Sequence, residues 1–234
     1  MKKIFNKGKT MLVDNLNVDS DEILRYLGHK GQSVDENTNQ LIRECIDEIQ
    51  KDFGGRYVYN IYDIDIQKDT IKLLNTAISL PGISISHQLK GCTKCILMAV
   101  TLGNNIDRMI RYYMKEHISK GIIYDACSTV FVEALCDFVE VEMSNSLDDK
   151  NSLTTRFSPG YGDLPISIQP EILEVLNAYK KIGLAVNESF ILTPRKSITA
   201  VIGIGTDNKK NNRCIQCMKY ETCSIRKESK YCGV

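Results

Sequence analysis

The apolar run Cys95 to Leu102 constrains the fold more than any other stretch of this sequence. It ends at Gly103, and its length suits a strand buried on both faces. Such a strand must be covered by other elements on each side. Two helices follow it. Asn104 is placed to cap the first, which carries Ile106, Met109, Ile110 and Tyr113 on one side. The second spans roughly Ser119 to Asn145, with a stripe of Ile123, Cys127, Val130, Ala134, Phe138 and Val141.

Before the run, Asp19-Ser20 opens a short helix through Ile23, Leu24 and Leu27, closed by Gly28. A longer helix is expected from Glu36 to Lys51, ended by Gly54-Gly55. Residues 56 to 66 are aromatic and β-branched and read as a strand, and a short one follows at Ile71 to Leu74. Leu80-Pro81-Gly82 reads as a turn, and Ser86 to Gly91 as a turn or two of helix. After the helical pair, helix formers span Pro170 to Lys181. Ser189 to Leu192 and Ile198 to Ile204 then read as strands around Thr193-Pro194. Strands interleaved with helices, without regular βαβ alternation, predict an α+β fold with a largely antiparallel sheet.

The chain of 234 residues carries 30 basic and 29 acidic side chains, a net charge of +1, which argues against a general nucleic-acid binder. No apolar run reaches membrane-spanning length, and the first residues lack a signal-peptide core, so a cytoplasmic protein is expected. In a reducing compartment the nine cysteines are expected as buried thiols, metal ligands or redox groups. The last 28 residues, 207–234, are polar, basic and cysteine-rich, and are set apart as a tail after a globular domain at 1–206.

Three constellations could carry chemistry. Residues 156 to 165, Arg-Phe-Ser-Pro-Gly-Tyr-Gly-Asp-Leu-Pro, hold a rigid, partly bare backbone between an arginine fork and an aromatic ring. That suits a small ligand with a carboxylate and a flat ring, although a plain surface loop is the commoner explanation of these residue types. At about 100° per residue, Glu133, Asp137 and Glu140 share one narrow sector of the long helix. A carboxylate there could receive an ammonium or an adenosine hydroxyl, against the more frequent alternative of a solvated flank. Finally, Cys214-x-x-Cys217, Cys223 and Cys232 have spacing that lets four thiolates close on zinc or hold an iron–sulfur cluster. Arg213, Lys219 and Arg226 would ease thiolate formation. Cys92-x-x-Cys95 has similar spacing but lies at the entrance to the buried run and reads as core, as do Cys45, Cys127 and Cys136. No Walker loop, dinucleotide fingerprint or nucleophile elbow occurs, and His29, His87 and His117 are dispersed.

Arg156-x-x-Pro159-Gly160-Tyr161 resembles the signature of the activation (reactivation) domain of cobalamin-dependent methionine synthase. Leu24-Arg25-Tyr26-Leu27-Gly28 resembles the start of stand-alone bacterial versions. Thr101-Leu102-Gly103, Val132-Glu133-Ala134-Leu135 and Thr193-Pro194-x-x-Ser197 fit the same pattern, and the resemblance spans residues 18 to 206. It implies a twisted antiparallel sheet with helices packed around it, and a domain that brings S-adenosylmethionine to cobalamin. One-electron reduction by an external donor such as flavodoxin or ferredoxin, coupled to methyl transfer, restores methylcobalamin from the inactive cob(II) state.

By position, the resemblance implies that Arg156 binds the methionine carboxylate and that the backbone of Ser158, Pro159 and Gly160 touches the adenosine portion. Tyr161 would stand near the methyl group and the corrin face, closest to the reaction, and Glu133 would meet the polar end of the ligand. The chain has no Asp-x-His-x-x-Gly cobalamin motif, so cobalamin is expected on a partner: a methionine synthase core or another corrinoid protein. The cysteine tail lies outside the pattern, and a cluster there could feed the required electron. A metal- or cluster-binding adaptor in electron transfer is the second reading. An ordinary methyltransferase is a weaker third, because the glycine-rich cofactor loop is missing.

Overall fold

A computed structural model describes residues 8–10, 16, 18–31, 33–148 and 150–206. In chain order its elements are β1 (Lys9–Thr10), α1 (Ser20–Tyr26), α2 (Glu36–Lys51), β2 (Arg56–Ile66), β3 (Thr70–Leu73), β4 (Ser79–Pro81), α3 (Ile83–Gln88), β5 (Cys92–Thr101), α4 (Asn104–Glu116) and α5 (Ile118–Asn145). There follow β6 (Ser152–Leu153), a 3-10 turn at Ile166–Ile168, α6 (Gln169–Leu176), α7 (Ala178–Ile182), β7 (Ala185–Val186), β8 (Leu192–Thr193) and β9 (Ser197–Gly205).

The apolar run is the central strand. β5 pairs antiparallel with β2 on one side and β9 on the other, aligning Tyr59 with Met98 and Met98 with Ala200. The sheet runs β4-β3-β2-β5-β9-β6, with β1 against the start of β2, and every pairing is antiparallel. Alternation along β5 then assigns its side chains. Ile96, Met98 and Val100 join the core formed with α1, α2, α4 and α5, whereas Cys95, Leu97 and Ala99 join the core formed with α3, α6 and α7. The run is apolar from Cys95 to Val100 because both faces of this strand are dry, and its one polar residue, Thr101, is buried as well.

α5, at 28 residues, is the longest element, and α4, α2 and α1 all pack on it. That enclosure explains a helix with thirteen buried residues, among them Tyr124, Phe131, Leu135 and Val139.

The structure corrects several boundaries. Leu80-Pro81 belongs to β4, with the turn confined to Gly82, and α3 starts at Ile83 rather than Ser86. β4 is an edge strand, which is where proline's missing N–H is tolerated. Asn104 is the first residue of α4 and not its cap; that position falls to Gly103 at φ +88°. The helix expected over 170–181 is broken at Asn177, which adopts a left-handed conformation (φ 53°) between α6 and α7. Ser189 to Leu192 is largely a turn, because the Asn187 side-chain oxygen accepts from the Ser189 and Ile191 N–H groups. Only Leu192 enters a strand there, pairing in a β7–β8 hairpin that the sequence reading missed. The tail expected at 207–234, with Cys214, Cys217, Cys223 and Cys232, lies outside the described residues.

Candidate ligand-binding site

After α5 the chain returns along the free edge of β9. Ser152 and Leu153 pair with Gly205 and Ile204, and the Thr154 hydroxyl accepts from the Gly203 N–H at 2.8 Å. Phe157 exchanges both backbone hydrogen bonds with Val201, at 2.9 and 2.8 Å. The pairing sends Leu153 into the α5-side core and Phe157 into the opposite one.

Residues 158 to 165 then fold back on themselves. Tyr161 N–H donates to the Ser158 carbonyl, Leu164 N–H to that of Tyr161, and Gly160 N–H to that of Leu164. Gly160 sits at φ +93° and Gly162 at φ +53°; a β-carbon on Gly162 would lie 2.7 Å from the Ser84 hydroxyl oxygen. Glycine is required at this close approach to α3. Asp163 fastens the same corner. Its carboxylate accepts from the Ile83 and Ser84 N–H groups at 2.7 and 2.9 Å, capping α3 from 79 residues away or more. Those backbone donors hold the Asp163 carboxyl below its ordinary value.

Arg156 extends beneath this loop onto α5. Its Nη1 lies 2.8 Å from both Asp137 Oδ1 and Glu140 Oε1, and its Nη2 lies 3.1 Å from Glu133 Oε2. The three carboxylates therefore share one edge of α5, as the helical spacing required. They are not a plain solvated flank: the guanidinium they surround is only 11% exposed. Burial works against the Arg156 charge, yet Cys136, Glu140, Asp137 and Glu133 around it raise its pKa above the usual arginine value.

Between loop, helix edge and sheet lies a cavity of ≈ 310 Å³. All six ligand residues expected from the sequence line it: Glu133, Arg156, Ser158, Pro159, Gly160 and Tyr161. Tyr161 is 44% exposed and meets Phe157 edge-on, with ring centroids 6.4 Å apart.

Five further lining residues were not proposed from sequence: Gln169, Leu192, Ser197, Ile198 and Thr199. Gln169 and Thr199 are buried and joined, the Thr199 hydroxyl donating to Gln169 Oε1 at 3.1 Å while Gln169 Nε2 donates to the Phe190 carbonyl at 2.8 Å. One begins α6 and the other lies in β9, 30 residues apart, so no local pattern announces them. Ser197 lay within the Thr-Pro-x-x-Ser match and could have been named. Asp107 positions that turn by accepting from the Arg195 N–H at 2.7 Å.

No protein-family model and no curated protein matches this sequence. Among solved structures, the chain is similar to the MetH reactivation domain bound to AdoHcy, with a TM-score of 0.67 and 15% identity, over 95% of this chain and 85% of that one. The fold is that of the methionine synthase reactivation domain. The antiparallel α+β architecture expected from the sequence is thereby borne out.

Within this reactivation-domain fold the five described cysteines, Cys45, Cys92, Cys95, Cys127 and Cys136, are all buried thiols. Burial pushes the Cys95 and Cys136 thiols up, and a hydrogen bond to Cys45 does the same for Cys127, which disfavours the thiolate in all three. Among the described residues no group of three or more His, Cys, Asp or Glu could hold a metal ion. No helix among them is long and apolar enough to cross a membrane.

Proposed function

We propose that this chain binds S-adenosylmethionine in the cavity beside Arg156. It would act as a separate activation protein for a cobalamin-dependent methionine synthase or a related corrinoid methyltransferase. The observation that carries the reading is the meeting of Glu133, Arg156 and the Ser158–Tyr161 loop on one cavity in a reactivation-domain fold.

The Arg156–Glu133 ion pair at the cavity wall is the complement of an amino-acid zwitterion. In the proposed complex the ligand carboxylate takes the Arg156 fork and the ligand ammonium takes Glu133, so each exchanges one ionic partner for another. The bare Pro159-Gly160 backbone receives the nucleoside, and the half-exposed Tyr161 ring faces a partner's cobalamin. No group here needs to act as acid or base. The fold would position the ligand and exclude water, while the partner's cobalt would supply the nucleophile. Bound on the partner and given one electron from an external donor, cob(II)alamin would take the methyl group of S-adenosylmethionine, giving methylcobalamin and S-adenosylhomocysteine.

The direct test mixes the chain with a partner loaded with cob(II)alamin, a flavodoxin or ferredoxin reducing system and S-adenosylmethionine. Appearance of the methylcobalamin spectrum only when the chain is present is expected; equal rates with and without it would remove the activation role. For Cys214, Cys217, Cys223 and Cys232 we extend the proposal to zinc or an iron–sulfur cluster, which four thiolates suit. Metal analysis and the visible spectrum of the anaerobically reconstituted chain test that site. Deleting residues 209 to 234 should leave ligand binding intact, whereas metal content without S-adenosylmethionine binding would favour the adaptor reading.

A further inference from the structure

Gln169 and Thr199 line the cavity, are buried, and are held in a hydrogen-bond chain with a fixed direction. The Phe190 carbonyl can only accept, so the Gln169 amide must turn Nε2 toward it, at 2.8 Å. That sets Oε1 toward Thr199, and the single hydrogen of the Thr199 hydroxyl goes to it at 3.1 Å. A solitary hydroxyl turns to suit either a donor or an acceptor. This one is committed, and its oxygen is left to act as an acceptor.

Alternation along β9 fixes where that acceptor sits. Ile198, Ala200 and Ile202 belong to the core on the α5 side, which is also the side of Glu133, whereas Val201 belongs to the opposite core. Thr199 shares the parity of Val201 and bonds to the first residue of α6. The cavity therefore reaches from Arg156 and Glu133 at one end to Thr199 and Gln169 at the other. Leu192, packed on the α6-side core, gives that second end an apolar wall.

The proposal rests on the S-adenosylmethionine reading above. With the amino-acid head at Arg156 and Glu133 and the nucleoside along the Pro159-Gly160 backbone, the base reaches the Thr199 end. We infer that Thr199, oriented by Gln169, accepts a hydrogen bond from the exocyclic amino group of adenine and selects adenine over a base with a carbonyl at that position. Hypoxanthine would set the lone pairs of its oxygen against those of the Thr199 hydroxyl. The hydroxyl cannot turn to donate without leaving Gln169 Oε1 buried and unpaired. Thr199 is the residue that touches the base, and Gln169 is a positioning residue that acts through it.

Calorimetry on the full chain compares S-adenosylhomocysteine with S-inosylhomocysteine, which carries a carbonyl in place of the amino group. The inosyl compound should bind about tenfold or more weakly than the adenosyl one. Thr199→Val removes the acceptor and should bring the two affinities within about threefold of each other, whereas Thr199→Ser keeps the hydroxyl and should keep the preference. Gln169→Met releases the hydroxyl to turn and donate, so the preference should shrink there through a gain for the inosyl compound, which damaged packing would not produce. The Ser and Met variants carry the test if Thr199→Val melts early. Equal affinity of the two compounds for the unaltered chain overturns the inference and leaves the ligand reading standing. A preference unchanged in Thr199→Val overturns it too, by moving recognition of the base elsewhere. Failure of both compounds and of S-adenosylmethionine to bind removes the ligand reading itself, and this inference with it.

Discussion

Two ion clusters sit on α5, and they differ in make-up. Toward its start, Lys120 lies 2.6 Å from Glu48 Oε1, and Tyr113 donates to the other oxygen of the same carboxylate at 2.7 Å. One cation meets one anion, between α2 and α5. Toward its end, Arg156 meets three carboxylates and lines a cavity. Lys9 with Glu142 and Lys196 with Asp125 follow the first pattern, one cation to one carboxylate. A balanced pair fixes two elements together and is complete without a ligand. The Arg156 cluster instead lies along a cavity, where a ligand can exchange with one of its ionic partners.

The largest expected effect breaks the Arg156 cluster. Arg156→Ala should weaken S-adenosylmethionine binding by about 1.5–3 kcal/mol, the usual worth of a hydrogen bond to a charged group. It also leaves three carboxylates facing one another, so its melting temperature should fall, and affinity should be read below the transition. Next is Gly162→Ala, which puts a side chain at φ +53° and 2.7 Å from Ser84 Oγ. It should cost about 1–3 kcal/mol in denaturant unfolding and loosen ligand binding together. Lys120→Ala sharpens the contrast from the other side: a loss of about 1–2 kcal/mol in stability with ligand affinity unchanged. A change in affinity there would mean that the two clusters are not independent.

The smallest effect belongs to Asp163→Asn. The folded Asp163 pKa lies below its unfolded value, so its contribution is complete above the ordinary carboxylate range and is lost as pH falls through the depressed value. At neutral pH the variant should melt slightly earlier than the unaltered chain, and the gap should close as pH falls below about 4. A gap that widens on acidification would reverse the assigned sign. The Glu48 carboxyl behaves in the same sense: burial works against its charge, but its bonds to Lys120 and Tyr113 hold it below the usual glutamate value. Stability from that cluster is likewise present at neutral pH and lost on acidification.

Legibility in the sequence followed the range over which each signal acts. β5 was plain because its stretch from Cys95 to Val100 is dry on both faces and wholly apolar, and α2 because its period holds over sixteen residues up to the Gly54-Gly55 ending. The angular sector of Glu133, Asp137 and Glu140 was legible from helix geometry alone. Their shared partner was not, since Arg156 reaches them from a different element. The β7–β8 hairpin was hidden because two residues per strand are too short for alternation to register. Gln169 and Thr199 were hidden for a tertiary reason: both are buried polar residues whose only marks are each other and the Phe190 carbonyl. The loop itself was visible as residue types, and the resemblance supplied the ligand that those types alone left open.

The central claim is that the space beside Arg156 is a site for S-adenosylmethionine, and isothermal titration of the full chain with that compound tests it most directly. The account predicts saturable binding of one molecule per chain that is lost or sharply weakened in Arg156→Ala and retained in Lys120→Ala. Absence of binding to the folded chain, or the same affinity in Arg156→Ala, would contradict it.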